Sequence, residues 1–425
     1  MNRTERERII ALIRREVVPA IGCTEPAAVS LCVAKATELL GTLPEKIELS
    51  LSGNIIKNAM GVGIPGTGMI GLPIAVALGA IVGRSEYGLQ VLKDVDEASL
   101  EKGKRYIAEK RIRIGHHPNP PSNLHIEVVV TAGGRSAKAV ISAAHTQFVH
   151  LEKDGEVLLD KKSDEAEAGH DDVVLTEGSV FEFATTAPLE EIEFILEAGD
   201  MNLRAAELAL SGDYGHSLGS VIRQKGVTLF GDTPAAHILS LTSAACDARM
   251  GGAPVAVMSN SGSGNQGITS TLPVVCYARD INASREQLVR ALTLSSLTSI
   301  YIKQSLGRLS ALCGCVVAST GASAGLVLLM GGGYDQVCAA IKNMVANLTG
   351  MICDGAKPAC AMKISSGVST ALMSAMLAMN GKCVTSAEGI VCDDVDVTIH
   401  NLTSIGRDAM NETDHLVLDI MVGKQ

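Results

Sequence analysis

Tryptophan is absent from the 425 residues, and six tyrosines and five phenylalanines are the only aromatics. The chain therefore has little from which to build the aromatic belts of a membrane protein. It also lacks a basic run. Its 36 Lys and Arg stand against 46 Asp and Glu, a net charge of −10 with a pI near 5.5, which excludes nucleic acid as the expected partner. The Walker Gly-Lys-Ser/Thr sequence is missing, as are the paired Cys-x-x-Cys pattern of zinc sites and the cysteine runs of ferredoxins. Behind the charged start (Arg3, Glu5, Arg6, Glu7, Arg8) no apolar signal core follows. No repeat of fixed period occurs.

Eleven cysteines are present, an odd number scattered through a long chain. This is no disulfide framework, and a reducing, cytoplasmic setting is the expectation. Two stretches, residues 58–83 and 309–334, run without a charge for longer than the ~20 residues that span a bilayer. Glycines break both, joined by Pro65 and Pro73 in the first, so they read as buried helices of a large core and not as membrane spans.

Periodicity sets the fold class. Ile9, Ile10, Leu12 and Ile13 give a first helix an apolar face, which Pro19 interrupts. A second helix is expected from Thr24, read as its N-cap, to Gly41. Ile47, Leu49 and Leu51 alternate as a strand, and residues 111–161 read as β, with turns at Gly133-Gly134 and Asp154-Gly155. An apolar helix is expected over 69–82. From Pro188 onward helices dominate: Ser284 with Gln287 makes a capping box, Asp335 reads as a cap, and further helices are expected over 366–380 and 410–422. The class is α+β: an antiparallel sheet with helices as an inserted layer, joined to a mainly helical catalytic part. The expected divisions are 1–42 (N-terminal helices packed on the helical part), 43–170 (α+β) and 171–425 (helical), with the charged segment 161–172 as the boundary.

Four stretches carry chemistry. Cys353 and Cys360 flank Asp354-Gly355 and Pro358, turn formers that fold a loop back on itself and aim two sulfurs at one point. Thiolates suit zinc, copper(I) or iron–sulfur clusters, and with Cys313 our reading is an iron–sulfur cluster with one iron left open. The bland reading is that these thiols fill space like the others. Cys23 precedes a helix start, where the dipole lowers a thiol's pKa. The glycine-rich loop 61–68, with Lys57 and Asn58 before it, could hold a carboxylate, or could simply pack backbone on backbone. The loop containing Asn260, Ser261, Ser263, Asn265 and Gln266, shortly after Asp247 and Arg249, is rich in donors and embedded in apolar sequence, which suits an amino-acid carboxylate or a phosphate. A pyridoxal-phosphate lyase, with Gly262–Gly267 cupping the phosphate and Lys303 or Lys363 as Schiff base, is the rival enzyme reading. An amino-acid-binding or redox-sensing protein is the non-enzyme one.

Across residues 22–26, 65–69, 247–252, 259–269, 309–313 and 351–363 the chain resembles the L-cysteine desulfidase family, whose helical part is similar to the iron–sulfur L-serine dehydratase alpha chain. The resemblance implies a 4Fe–4S cluster on Cys313, Cys353 and Cys360, with Cys23 as proton acceptor. It implies α,β-elimination of L-cysteine to sulfide, ammonia and pyruvate, with L-serine dehydration as the alternative. The partner expected is a small amino acid, and a homodimer is reasonable for the apolar, Gly-rich helical surface.

Overall fold

The structure, a computed structural model, describes residues 1–161, 173–224, 229–307 and 310–423. Most of the expected 161–172 boundary, and Leu309 of the motif at 309–313, lie outside the described residues.

Helix α1 (Arg3–Glu16) is opened by an Asn2/Glu5 capping box and ends before β1 (Pro19–Ile21). Cys23, not Thr24, is the N-cap of α2 (Thr24–Leu40), and it makes no side-chain cap bond. After β2 (Lys46–Leu51) the polar stretch containing Lys57 and Asn58 is itself helical, as α3 (Gly53–Ala59). A small hairpin, β3 (Gly63–Ile64) with β4 (Met69–Ile70), takes the start of the expected 69–82 helix, leaving α4 (Leu72–Ile81). Gly71, at φ +85°, makes that break. Next come α5 (Glu97–Ala108), β5 (Ile112–His116), β6 (His125–Ala132), β7 (Arg135–Ser142), β8 (Phe148–Lys153) and β9 (Glu156–Asp160). The six-stranded sheet runs β5-β2-β6-β7-β8-β9. It is antiparallel except for the parallel β2–β5 pair at one edge. Both expected tight hairpins form, with positive φ at Gly133, Gly134, Asp154 and Gly155 as type I′ turns require.

The remainder is helical: α6 (Glu177–Thr186), α7 (Leu189–Ile192), α8 (Leu196–Leu210), α9 (Leu218–Arg223), α10 (Pro234–Met250), the short strand β10 (Ala256–Met258), α11 (Gly264–Asp280), α12 (Arg285–Leu306), α13 (Gly314–Leu329), α14 (Tyr334–Leu348), α15 (Cys360–Met379), α16 (Val395–Ser404) and α17 (Asn411–Val422). The Ser284/Gln287 capping box opens α12. Gly333 rather than Asp335 caps α14, and α15 starts at Cys360, six residues ahead of expectation. Buried α13 lies among α11, α12, α14 and α15. Gly321 and Gly325 let its backbone approach α12, since a Cβ there would sit 2.3 Å from Ser295 O and 2.8 Å from Ala291 O. Such close packing accounts for the uncharged run: α13 has 16 residues, and α4, in the other run, has 10. By length and composition α15 alone among the described helices could cross a bilayer.

Of the four apolar clusters among the described residues, two are large. Ile9, Leu12 and Ile13 of α1 belong to the helical core, whereas Ala28, Val29, Leu31 and Val33 of α2 lie in the core under the sheet. Residues 1–42 are thus shared between the two. At the seam β1 pairs with β10, and the loop at 61–68 meets the end of α10 backbone to backbone. A Cβ on Gly63 would lie 2.5 Å from Gly251 C and Gly252 N, and Gly66 N–H donates to Gly252 O at 3.2 Å. The first glycine loop is therefore a packing device.

Candidate functional site

Residues 310–313 and 351–353 pair through an antiparallel bridge between Leu312 and Ile352. Cys313 N–H donates to Met351 O at 3.0 Å and Cys353 N–H to Ala311 O at 2.7 Å, so the two cysteines are held on neighbouring backbones. Cys313 then caps α13, and Cys360 begins α15. Between Cys353 and Cys360 the chain does fold back. Lys357 Nζ donates to the carbonyls of Asp354 (3.0 Å) and Gly355 (3.1 Å), and Asp354 pairs with both Lys357 and Lys363. Burial opposes ionisation of Asp354, but the two lysines hold it down at about 2. Lys363 also donates to Ile352 O at 2.7 Å, pinning the bridge.

The three thiols are close enough to feel one another's charge. Burial pushes Cys353 and Cys360 up. Cys313 is brought down to about 7, chiefly by a hydrogen bond from Cys315, with burial opposing. Lys303 faces Cys353 and Cys313, and burial lowers its ammonium to about 8. Cys246 and Cys315 border the same space. Among the described residues no group of three His, Cys, Asp or Glu is arranged to hold a single metal ion. A multi-iron cluster takes one cysteine per iron, so its ligands need not converge on one point.

Helix α3 joins this loop to Cys23. Gly355 lies on the Lys57 carbonyl, and Gly61 faces Lys357 and Ala356. On its other flank Cys23 Sγ donates to Glu25 Oε2 at 2.9 Å and approaches Asn58 O at 3.9 Å. A lowered pKa was expected for this helix-start thiol, and the structure gives the reverse. Burial and then the charge of Glu25 push it well up, outweighing Arg249 and the helix end. Beside Cys23 a cavity of about 240 Å³ is lined by Ile64, Pro65, Leu89, Val91 and Pro254.

The other predicted substrate residues are placed as follows. Lys57 is 2% exposed and ion-paired with Asp414 of α17, which occupies the ammonium expected to hold a carboxylate. Asn58 offers its backbone carbonyl to Cys23. Asn260 Nδ2 donates to Ser296 O, its Oδ1 accepts from Ser261 Oγ, and Ser263 caps α11 through Gln266 N–H. Backbone N–H groups of Ser259, Asn260, Ser261, Ser263, Gln266 and Gly267 are already bonded within the chain, which leaves little to cup a phosphate. Gly262, Gly264 and Gly267 do have dinucleotide-loop spacing, but β10 pairs antiparallel with β1 and is no part of a parallel βαβ unit. Asn265 and Gln266 face inward: Asn265 Oδ1 accepts from Arg249 Nη1 at 3.1 Å, and Gln266 packs on Gly314, next to Cys313.

Arg249 and Glu25 were not singled out from the sequence as site residues. Each lies inside a stretch that carries the resemblance (22–26 and 247–252), but nothing in the sequence separates an arginine that is 4% exposed from a surface one.

Comparisons with known proteins place the chain among relatives. The chain is 61% identical to a UPF0597 protein of Bacteroides fragilis over 426 residues, covering all of both chains. It is 60% identical to a UPF0597 protein of Bacteroides thetaiotaomicron (100% of this chain, 99% of the relative) and 44% to one of Aeromonas hydrophila (98% and 96%). The family model described as serine dehydratase alpha chain matches residues 86–419, a span holding Cys313, Cys353, Cys360 and Arg249 but not Cys23. By this match over well more than half its length, the chain belongs to the serine dehydratase alpha chain family.

Proposed function

We propose that this protein is an L-cysteine desulfidase, an iron–sulfur-dependent lyase that eliminates sulfide from L-cysteine. The observation that carries the reading is the Leu312–Ile352 bridge, which sets Cys313 beside Cys353, with Cys360 at the far end of the folded-back loop and Cys23 one short helix away. The donor set suits the group: three soft thiols, with Lys303, Lys357 and Lys363 nearby to offset thiolate charge. Cys313, Cys353 and Cys360 would hold a 4Fe–4S cluster whose fourth iron, free of protein ligands, supplies a Lewis-acid position toward the substrate.

The remaining work falls to this chain's own side chains. Cys23 Sγ takes the α-proton. It rests as a thiol, so its own proton first passes to Glu25 Oε2, its hydrogen-bond acceptor. Arg249 favours the thiolate so formed. The Cα–H electrons become the Cα=Cβ bond, the Cβ–S bond breaks, and sulfide leaves with its pair. The 2-aminoacrylate left behind is hydrolysed to pyruvate and ammonia. L-Serine, losing hydroxide instead, is the second reading, and the family's description supports it.

The test is anaerobic purification followed by iron and acid-labile sulfide assays, then pyruvate and sulfide release from L-cysteine and L-serine. Cys353→Ser should lose both iron and turnover. Protein that turns over L-cysteine with bound pyridoxal and no iron would sink the proposal, and loaded protein inert to both amino acids would leave a sensor.

A further inference from the structure

Two buried polar atoms on either side of Asn265 have no partner among the described residues: Nε of Arg249 and Oε1 of Gln266. Arg249 is 4% exposed, and its bonds go to Asn265 Oδ1 (3.1 Å) and, weakly, to Met250 Sδ (4.0 Å); no carboxylate neutralises it among the described residues. A guanidinium cannot shed its proton, and burying it without an anion is costly. Room for it is made by Gly264, where a Cβ would lie 2.3 Å from Nε. Its charge reaches Cys23.

Gln266 is 3% exposed and has the opposite need. Its Nε2 donates to Asn260 O at 3.4 Å. That bond fixes the amide's orientation, because the flipped form would set two oxygens against each other. Oε1 is left as a bare acceptor 3.4 Å from where a Cβ on Gly314, the neighbour of Cys313, would stand. A cationic donor and a neutral acceptor, both buried and both short of a partner, thus lie on the Cys23 side and the Cys313 side of one asparagine.

We infer that Arg249 and Gln266 form a receptor for both charged ends of a free α-amino acid. The guanidinium takes the α-carboxylate and the amide oxygen takes the α-ammonium. The site is the one proposed above, on which this inference rests; what is added is the pair of side chains that hold the substrate's two charged ends, and with them the rejection of amides and des-amino acids.

The probe is L-alanine, which has no β-leaving group and cannot turn over. Its binding to anaerobically reconstituted full-length protein is measured by calorimetry, beside L-alaninamide (no carboxylate) and propionate (no ammonium). Wild type should prefer L-alanine to either by at least tenfold. Arg249→Met should weaken L-alanine at least tenfold and abolish its advantage over L-alaninamide, with Arg249→Lys recovering part. Gln266→Met, the second variant should Arg249→Met misfold, should abolish the advantage over propionate. Unchanged L-alanine affinity in folded Arg249→Met and Gln266→Met proteins overturns the receptor. Lost selectivity in wild type that still releases pyruvate from L-cysteine overturns the receptor and spares the function. Selectivity kept in a protein inert to cysteine and serine supports the receptor and removes the function.

Discussion

Replacing Gly355 by alanine strikes the contact through which the cysteine loop leans on α3. An added Cβ would lie 2.0 Å from the Lys57 carbonyl oxygen and 2.9 Å from its carbon, where nothing under 3.0 Å is tolerated. Backbone must therefore withdraw by about 1 Å, since neither atom belongs to a side chain that could swing away. Gly355 also sits at φ +87°, a conformation that costs a residue with a Cβ about 1–2 kcal/mol. The two effects together put the loss of stability at about 2–3 kcal/mol, a few degrees in Tm for a chain of this size. Function should suffer more. A site must be held to within about 0.5 Å, and the shift falls between Cys353 and Cys360. After anaerobic reconstitution, Gly355→Ala should carry less than half the wild-type iron and release pyruvate at least tenfold more slowly. Gly350→Ala, five residues earlier with nothing within 4 Å of the new Cβ, is the control and should match wild type. Wild-type iron and turnover in Gly355→Ala would show that the loop is not positioned by this contact.

Three further outcomes are expected. Cys23→Ser should retain its iron and lose turnover, because the thiol faces Glu25 and Asn58 rather than the three ligands; loss of iron as well would make it a ligand. Glu177 is fully buried, and burial raises it to about 8 against a hydrogen bond from Thr298. The folded chain then keeps a proton that the unfolded chain has lost, so stability falls as pH rises between about 4.5 and about 8, by up to about 1.4 kcal/mol per pH unit. Glu177→Gln removes that slope, and its Tm advantage over wild type should grow from pH 5 to pH 8; parallel profiles would refute the assignment. Lys57→Met leaves Asp414 without its partner and should speed amide exchange in α17, which holds to α3 through that pair and through Leu418 on Gly53; unchanged protection would show that the pair does not fasten the helix.

What could be read in advance follows from the range of the forces involved. Hairpins at Gly133-Gly134 and Asp154-Gly155, and the Ser284/Gln287 cap, depend on residues a few positions apart, and they stand as expected. The parallel pairing of β2 with β5 depends on a crossover of some sixty residues, for which alternation carries no signal. The folded-back loop at 353–360 was legible from Asp354, Gly355 and Pro358, whereas Cys313 joins that reading only as a further thiol upstream, with no local spacing signal to place it beside Cys353. Cys23 shows the cost of a one-element argument: the helix end was foreseen, but the burial that outweighs it comes from segments more than thirty residues away. Lys57 was read as a free cation because its partner, Asp414, is 357 positions along the chain.

At Gly63 and Gly252 main chain rests on main chain, with no side chain interposed to yield or change rotamer. Such a joint has no cushion. The hairpin that follows α3 therefore cannot slide across the end of α10 without main-chain clash. A side chain at Gly63 would accordingly have to be met by main-chain displacement at the end of α10, because no rotamer change there could absorb it.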